Sequence, residues 1–218
     1  MLAKGKKVAA GVLEASEGDI QYRDGSFEVV GTDRRITLFD TARRAKEIGE
    51  SLDTKETTES PLTFPNGCHI AEVEIDTDTG KLDIVTYTAV DDCGVPLDKI
   101  VVEGQVQGSI ANGLGQALTE NAVYDRDSGQ LATGSFMDYG MPRAHDMPVE
   151  LREAMHSVPA TTNPLGVKGT GEAGTTAAIA AVMNAVANAI PNGAADYLEM
   201  PATPAKIWEA CQRGLAGK

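Results

Sequence analysis

A carboxylate set among glycines is the feature of this chain with most capacity for chemistry. Glu172 lies in the stretch Asn163-Pro164-Leu165-Gly166-Val167-Lys168-Gly169-Thr170-Gly171-Glu172-Ala173-Gly174. Glycine costs roughly 0.5–1 kcal/mol relative to alanine inside a regular element. Four of them within nine residues therefore make a loop whose backbone can approach something closely. The loop matches neither named phosphate pattern: there is no Gly-x-x-x-x-Gly-Lys-Ser/Thr, no strand is visible before Gly169-x-Gly171-x-x-Gly174, and position 192 is Asn where a partner acid would stand.

Behind the loop, residues 175–190 are small and apolar on almost every side, from Thr175 to Ile190. At about 1.5 Å per residue they predict a helix of roughly 24 Å, buried nearly all round. A glycine loop opening such a helix presents free backbone N–H groups and a partial positive field, which suits a phosphate, a pterin oxygen or a carboxylate. Two readings of Glu172 follow from the residues alone. One is a carboxylate capping the helix N-terminus, worth about 0.3–1 kcal/mol; the other is a general base held in a crevice beside whatever the glycines admit.

A second candidate surface is a helix expected from Val101 to about Asn121. Gly104, Gly108, Ala111 and Gly115 recur along it at four, three and four residues, which places them on one face. Gln105, Ser109, Asn112 and Gln116 repeat the same spacing as a polar stripe, and Val106, Ile110, Leu114 and Leu118 supply a packing side. This is either a helix crossing with small residues at the contact and solvated amides beside it, or a row of amides aimed at a heterocycle rich in donors and acceptors.

Composition narrows the partners. The 218 residues carry 19 Lys+Arg against 32 Asp+Glu, a net charge of −13, which disfavours nucleic acid and anionic membranes. Cys68, Cys93 and Cys211 are widely spaced, and His69, His145 and His156 share no ligand spacing. No metal site of side-chain ligands and no iron–sulfur cluster is expected within the chain, and the histidines read as surface or packing residues. With no apolar run of signal-peptide or membrane length, the expectation is a soluble cytoplasmic protein.

The positioning elements follow from periodicity. Residues 6–15 read as a short helix; Ile20–Arg23 and Phe27–Val30 around Asp24-Gly25 read as a hairpin; a helix is expected from about Thr41 to Ile48. Residues 49–66 are polar and turn-rich, the expected joint. His69–Asp76 and Lys81–Val90 around Thr77–Gly80 form the clearest hairpin, its second strand the more interior. A hairpin turn is expected at 124–131, a strand at 134–139, an irregular wrap with a short strand or helix at 140–160, a strand at 196–200, and a last helix capped by Thr203 with Pro204 at its first position.

Taken in order, several stretches resemble a known family. They are Phe64-Pro65-Asn66-Gly67-Cys68-His69, Val90-Asp91-Asp92-Cys93-Gly94, Val102-Glu103-Gly104-Gln105-Val106, Gly113-Leu114-Gly115-Gln116-Ala117-Leu118, Gly134-Ser135-Phe136-Met137-Asp138-Tyr139, the Asn163 to Glu172 loop, and Met200-Pro201-Ala202-Thr203-Pro204. Together they resemble the C-terminal part of the molybdenum-binding large subunit of the xanthine dehydrogenase, aldehyde oxidase and carbon monoxide dehydrogenase family, over essentially the whole chain.

That resemblance implies an α+β fold with a mixed, largely antiparallel sheet and packed helices, the C-terminal portion of the molybdenum-cofactor-binding domain. Residues 1–60 would be an N-terminal helix-hairpin-helix scaffold unit and residues 61–218 the cofactor-binding unit, together one partial domain of a larger assembly. Glu172 aligns with the family's active-site glutamate, which takes a proton from a molybdenum-bound hydroxyl or water as its oxygen attacks an electron-poor carbon, hydride passing to the metal's sulfido ligand. Gln105 aligns with a pterin-contacting glutamine, and Lys168, Gly169, Thr170 and Gly171 with the loop against the cofactor. The implied cofactor is molybdenum-molybdopterin, its cytosine dinucleotide form included. FAD and 2Fe-2S clusters would sit on partner subunits. The partners would be the remaining N-terminal part of the large subunit, an iron–sulfur subunit and an FAD subunit, in an oligomer acting on a small molecule such as an aldehyde, a purine-like heterocycle or carbon monoxide. The chain departs from the family at Asp98-Lys99, Ser109 and Asn112, where Asn-Pro, Gly and Gln are usual. The alternative is a non-catalytic relic, or a pterin-binding or assembly scaffold with no activity alone.

Overall fold

The computed structural model describes residues 1–57, 59, 61–196 and 198–216. The chain divides into two compact units, Met1–Glu59 and Ser60–Lys218.

In the first unit α1 (Leu2–Val12) packs on an antiparallel meander of β1 (Ile20–Arg23), β2 (Ser26–Val29) and β3 (Arg35–Thr37), followed by α2 (Leu38–Glu47). Asp24 (φ 47°) and Gly25 (φ 79°) turn the first hairpin as their sequence demands. Gly5 lets α1 settle on Phe27, whose ring would lie 2.3 Å from a Cβ at that position. The first helix starts four residues before the expected point, and Glu14, in left-handed conformation (φ 48°), ends it early. The second helix starts at Leu38 rather than Thr41 because Thr37 Oγ1 accepts from Asp40 N at 3.1 Å, capping it. Arg35–Thr37, three residues without a clear alternation, form a strand that the pattern did not announce.

The second unit is built on β4 (Asn66–Ile75), β5 (Leu82–Asp92) and β6 (Glu150–Met155) in that spatial order. The first pair is antiparallel and the second parallel, so the sheet is mixed. Ile84, Tyr87 and Ala89 of β5 are buried whereas β4 alternates, as its glutamates require. Over the sheet lie α3 (Lys99–Leu114), prolonged by a π turn at Gly115–Thr119, then α4 (Ala173–Ala189) and α5 (Pro204–Ala216). Val106, Ile110 and Leu114, then Ala178, Val182 and Val186, then Ile207, Ala210 and Cys211 fill the core with β5. Full burial of a Val- or Ile-sized side chain contributes about 1.5–3 kcal/mol.

The architecture is α+β, with one antiparallel and one mixed sheet. Three local expectations are corrected. α4 is not buried all round: Gly174, Ala178, Val182 and Val186 are buried at every fourth residue, while Thr176, Ala180 and Asn184 are exposed. Alanine is short enough that one stripe makes the contact. No strand forms at 134–139; Ser135 Oγ donates to Asp138 Oδ2 at 2.7 Å in a turn, and Phe136 and Met137 are exposed. Tyr197 lies outside the described residues, and the rest of 196–200 forms no strand. The hairpin turn at 124–131 closes through a single bridge between Tyr124 and Leu131.

Candidate functional site

The glycine loop is held at its root by a buried carboxylate. Asp92, the last residue of β5, accepts from Gly94 N and Val158 N at 2.9 Å each, from Asn66 Nδ2 at 3.3 Å, and from Lys168 Nζ at 2.5 Å. The Lys168 ammonium, aided by the Val158 N–H and opposed by burial, holds this carboxyl well below the usual aspartate range. Lys168 N also donates to Cys93 O at 2.9 Å. Gly166 (φ 67°) accepts from Val95 N and Ala160 N through its carbonyl, and a Cβ on Gly94 would lie 2.3 Å from that oxygen. Asn163 closes the turn by donating to Val167 O at 2.9 Å and accepting from Val167 N at 3.1 Å. The loop is thus pinned over its first half.

Its second half opens outward. Glu172 is the residue before α4, exposed, and its carboxylate makes no hydrogen bond among the described residues, to the helix N-terminus or elsewhere. The helix-cap reading therefore loses its hydrogen bond and retains only a charge–dipole attraction. Glu172 stands between two open chambers. One, of about 570 Å³, is lined by Asn66, Gly67, Asp91, Gly169, Thr170 and Gly171. The other, of about 540 Å³, is lined by Gly104, Gln105, Gly108, Asn112, Gln116 and Gly171.

The second chamber shows what the glycine stripe does. Gly104 and Gly108 face open space, where an added Cβ would meet nothing within 4 Å. The tight crossing of α3 and α4 falls elsewhere. A Cβ on Gly174 would lie 2.3 Å from Ser109 Oγ and 2.7 Å from Val106 O, and one on Gly113 would lie 2.8 Å from the Ala178 methyl. Ser109 leaves the polar row to pack there, its hydroxyl donating to Val106 O. Gln105, Asn112 and Gln116 remain exposed, with Gln116 Nε2 donating to Asn112 Oδ1 at 3.1 Å. Gly171 completes the wall: its Cβ position is 3.4 Å from Gln105 Oε1.

The structure therefore brings Gln105, Gly171 and Glu172 to one chamber and Gly169, Thr170, Gly171 and Glu172 to the other. Thr170 Oγ1 is buried without a hydrogen-bond partner among the described residues. Lys168 lines neither chamber, its side chain being turned onto Asp92. Sequence reasoning passed over Asp91 and Asp92 as a strand exit, and over His69, whose side chain is 1% exposed and bonded to Tyr87 and Asp91. Adjacent carboxylates closing an apolar strand were the available signal, since each must find donors when buried.

With this geometry in hand, comparison with known proteins is informative. A family model described as molybdopterin cofactor-binding domain matches residues 1–148. The large subunit of nicotine 6-hydroxylase from Paenarthrobacter nicotinovorans is 38% identical over 216 residues, spanning 93% of this chain and 26% of that protein. The gamma subunit of the 6-hydroxypseudooxynicotine dehydrogenase complex from the same organism is 32% identical over 220 residues, 97% of this chain and 28% of that one. The crystal structure of a Cu,Mo-CO dehydrogenase in its carbon monoxide reduced state superposes with a TM-score of 0.77 at 27% identity, over 97% of this chain and 27% of that one. The chain spans about a quarter of the length of these relatives.

Proposed function

This chain belongs to the molybdopterin cofactor-binding domain family, and on that premise we propose that it supplies the general-base carboxylate, Glu172, and part of the pterin cradle to a molybdenum hydroxylase. The observation that carries the reading is the placement of an unbonded carboxylate between two chambers, at the end of a loop whose root is pinned. The residues fit the cofactor. Gly104 and Gly108 leave a side-chain-free wall against which a flat heterocycle can lie, and Gln105, Asn112 and Gln116 offer amide donors and acceptors along its edge. Thr170 Oγ1 is a further polar atom in need of a partner.

When bound, the molybdenum-pterin group supplies the oxygen to be transferred and accepts two electrons. The chain's own part is positional and acid–base. Gln105 and the Gly169 to Gly171 backbone hold and orient the pterin, and the Lys168–Asp92 pair keeps that backbone in place. Glu172 accepts, at a carboxylate oxygen, the proton of the attacking hydroxyl or water. The first turn of α4 does not compete for that carboxylate, because Glu172 makes no capping bond.

The rest of the site comes from outside these residues. We propose the N-terminal remainder of a large subunit as the immediate partner, with iron–sulfur and FAD subunits receiving the electrons; the names of the relatives, a large subunit and a gamma subunit of a complex, support a multi-subunit assembly. Exposed Phe136, Met137, Val149 and Ile100 are suited to be covered in such an assembly. The cytosine dinucleotide form of the pterin, a small-molecule substrate of the aldehyde, heterocycle or carbon monoxide kind, and a cytoplasmic location belong to the same reading; no helix among the described residues is long and apolar enough to cross a membrane. The test is Glu172→Gln in the assembled enzyme. Turnover should fall by about 10²–10⁴-fold with molybdenum and pterin content unchanged; parental turnover would remove the base role.

A further inference from the structure

Across the mixed sheet, His69, Ala89 and Glu153 occupy one row on β4, β5 and β6. Tyr87 and Asp91, two residues to either side of Ala89, share its face. His69 Nδ1 lies 2.8 Å from Tyr87 Oη, and Nε2 lies 3.1 Å from Asp91 Oδ2. An ionised carboxylate only accepts, so Nε2 carries the hydrogen and Tyr87 donates to Nδ1. Burial first, and then the charge of Asp91, push the Tyr87 phenol up, which keeps it an O–H donor. Gly67 opposite Asp91 makes room for this arrangement, since a Cβ there would lie 2.4 Å from Asp91 Oδ1.

Ala89 is small where its neighbours are large, and a cavity of about 80 Å³ lies against it, lined by Asp91 and Glu153 and, from α3, by Lys99, Glu103 and Val106. At about 30 Å³ each, two waters fit. Gln107 Nε2 donates to Glu153 Oε2 at 3.2 Å, while Glu153 Oε1 is buried with no hydrogen-bond partner among the described residues. A buried carboxylate oxygen without a donor calls for a water or for its own proton. Burial, opposed by the Gln107 hydrogen bond and seconded by the charges of Glu103 and Asp91, pushes the Glu153 carboxyl up. Asp91 lines this cavity and also the chamber that Glu172 borders.

We propose that Asp91 and Glu153, with water in the cavity against Ala89, form a buried proton route from the Glu172 chamber to solvent beside Lys99 and Glu103, with His69 and Tyr87 as positioning residues that hold Asp91. The route rests on Glu172 being the base. A proton on Glu172 passes through chamber water to Asp91, from Asp91 to cavity water, and from there to Glu153 Oε1; Glu153 releases it to water at the mouth. Each O–H bond broken is matched by one formed, and no electrons change hands.

The test begins with the chain alone, by infrared spectroscopy across a pH titration. A neutral-carboxyl C=O band that Glu153→Gln removes is expected to persist to higher pH than the bands of exposed glutamates; a parent whose band disappears together with those of exposed glutamates, or a band that persists in the variant, overturns the proposal. In the assembled enzyme, metal reduction is followed by absorbance and proton release by an indicator dye. In Glu153→Gln proton release should lag behind reduction, slowed on the order of 10²-fold, with an increased solvent isotope effect, unchanged molybdenum content and recovery in Glu153→Asp. Synchronous release and reduction in the variant overturns the route and leaves Glu172 as the base. Parental turnover in Glu172→Gln would instead overturn the base reading, with the Glu153 band intact.

Discussion

Two carboxylates meet the glycine loop in opposite conditions, one from β5 and one at its end. Asp92, at the root, is buried and accepts from Gly94, Val158, Asn66 and Lys168; Glu172, at the tip, is exposed and accepts from no described group. Both are acidic residues beside a helix or strand end, yet one can only hold and the other is free to exchange a proton. A saturated carboxylate has no lone pair left for chemistry, while an unsaturated one at the end of a flexible segment would be badly placed for it. Rigidity at the first site is what makes position meaningful at the second.

Substitutions should separate these roles. The largest effect expected is the loss of turnover in Glu172→Gln, with a change of at most about 0.3–1 kcal/mol in stability from the lost charge at the α4 N-terminus; chemical denaturation of parent and variant reads the second half of that contrast. Next comes the crossing that sets α4 in place. Gly174→Ala puts a methyl against Ser109 Oγ and the backbone of Val106 and Ile110, and should destabilise the chain by about 1–3 kcal/mol in urea unfolding.

The Asp92–Lys168 pair sharpens the comparison through pH. Because the folded Asp92 carboxyl is held below its ordinary value, its contribution is complete above the ordinary aspartate range, about 3.9, and is lost as pH falls through the folded value. Lys168→Met removes the principal cause, so acid unfolding should move to higher pH, and pterin retention by the assembled enzyme should fall although Lys168 touches neither chamber. Unchanged acid unfolding in that variant would mean that the backbone donors alone hold the root. The smallest effect expected on stability is from Gly171→Ala, whose methyl would meet Gln105 Oε1 at an ordinary 3.4 Å. Its consequence should appear as weaker pterin retention, because it narrows the wall between the chambers.

Much of this was legible before any coordinates. The hairpin of β4 and β5, the interior character of β5, the helix opened by the glycine loop and the Thr203-Pro204 start of α5 follow from alternation, turn residues and caps, which act within a few residues of one another. Strand β6 was foreseen only as a short strand or helix somewhere in 140–160, because Glu150-Leu151-Arg152-Glu153-Ala154-Met155 has no turn linking it to its parallel partner. Gly134–Tyr139 misled in the opposite direction: its aromatic residues suit a strand, but no described strand pairs with them. Of the glycine stripe expected on α3, Gly104 and Gly108 share an open face, but Gly115 falls in the π turn and is buried against Glu120 and Pro142, and the two candidate uses of the stripe could not be told apart by spacing.

The sequence by itself determined that a carboxylate would follow a loop of glycines at the start of an apolar helix, and that amides and glycines would share one side of another helix. Those are local facts of composition and period. Only the tertiary structure decided that Gly113 and Gly174, not Gly104 and Gly108, make the close crossing, that Lys168 turns inward to Asp92, and that His69, Asp91 and Glu153 meet across three strands. Such meetings depend on which faces the core brings together, and residues distant in the chain leave no periodic trace of them.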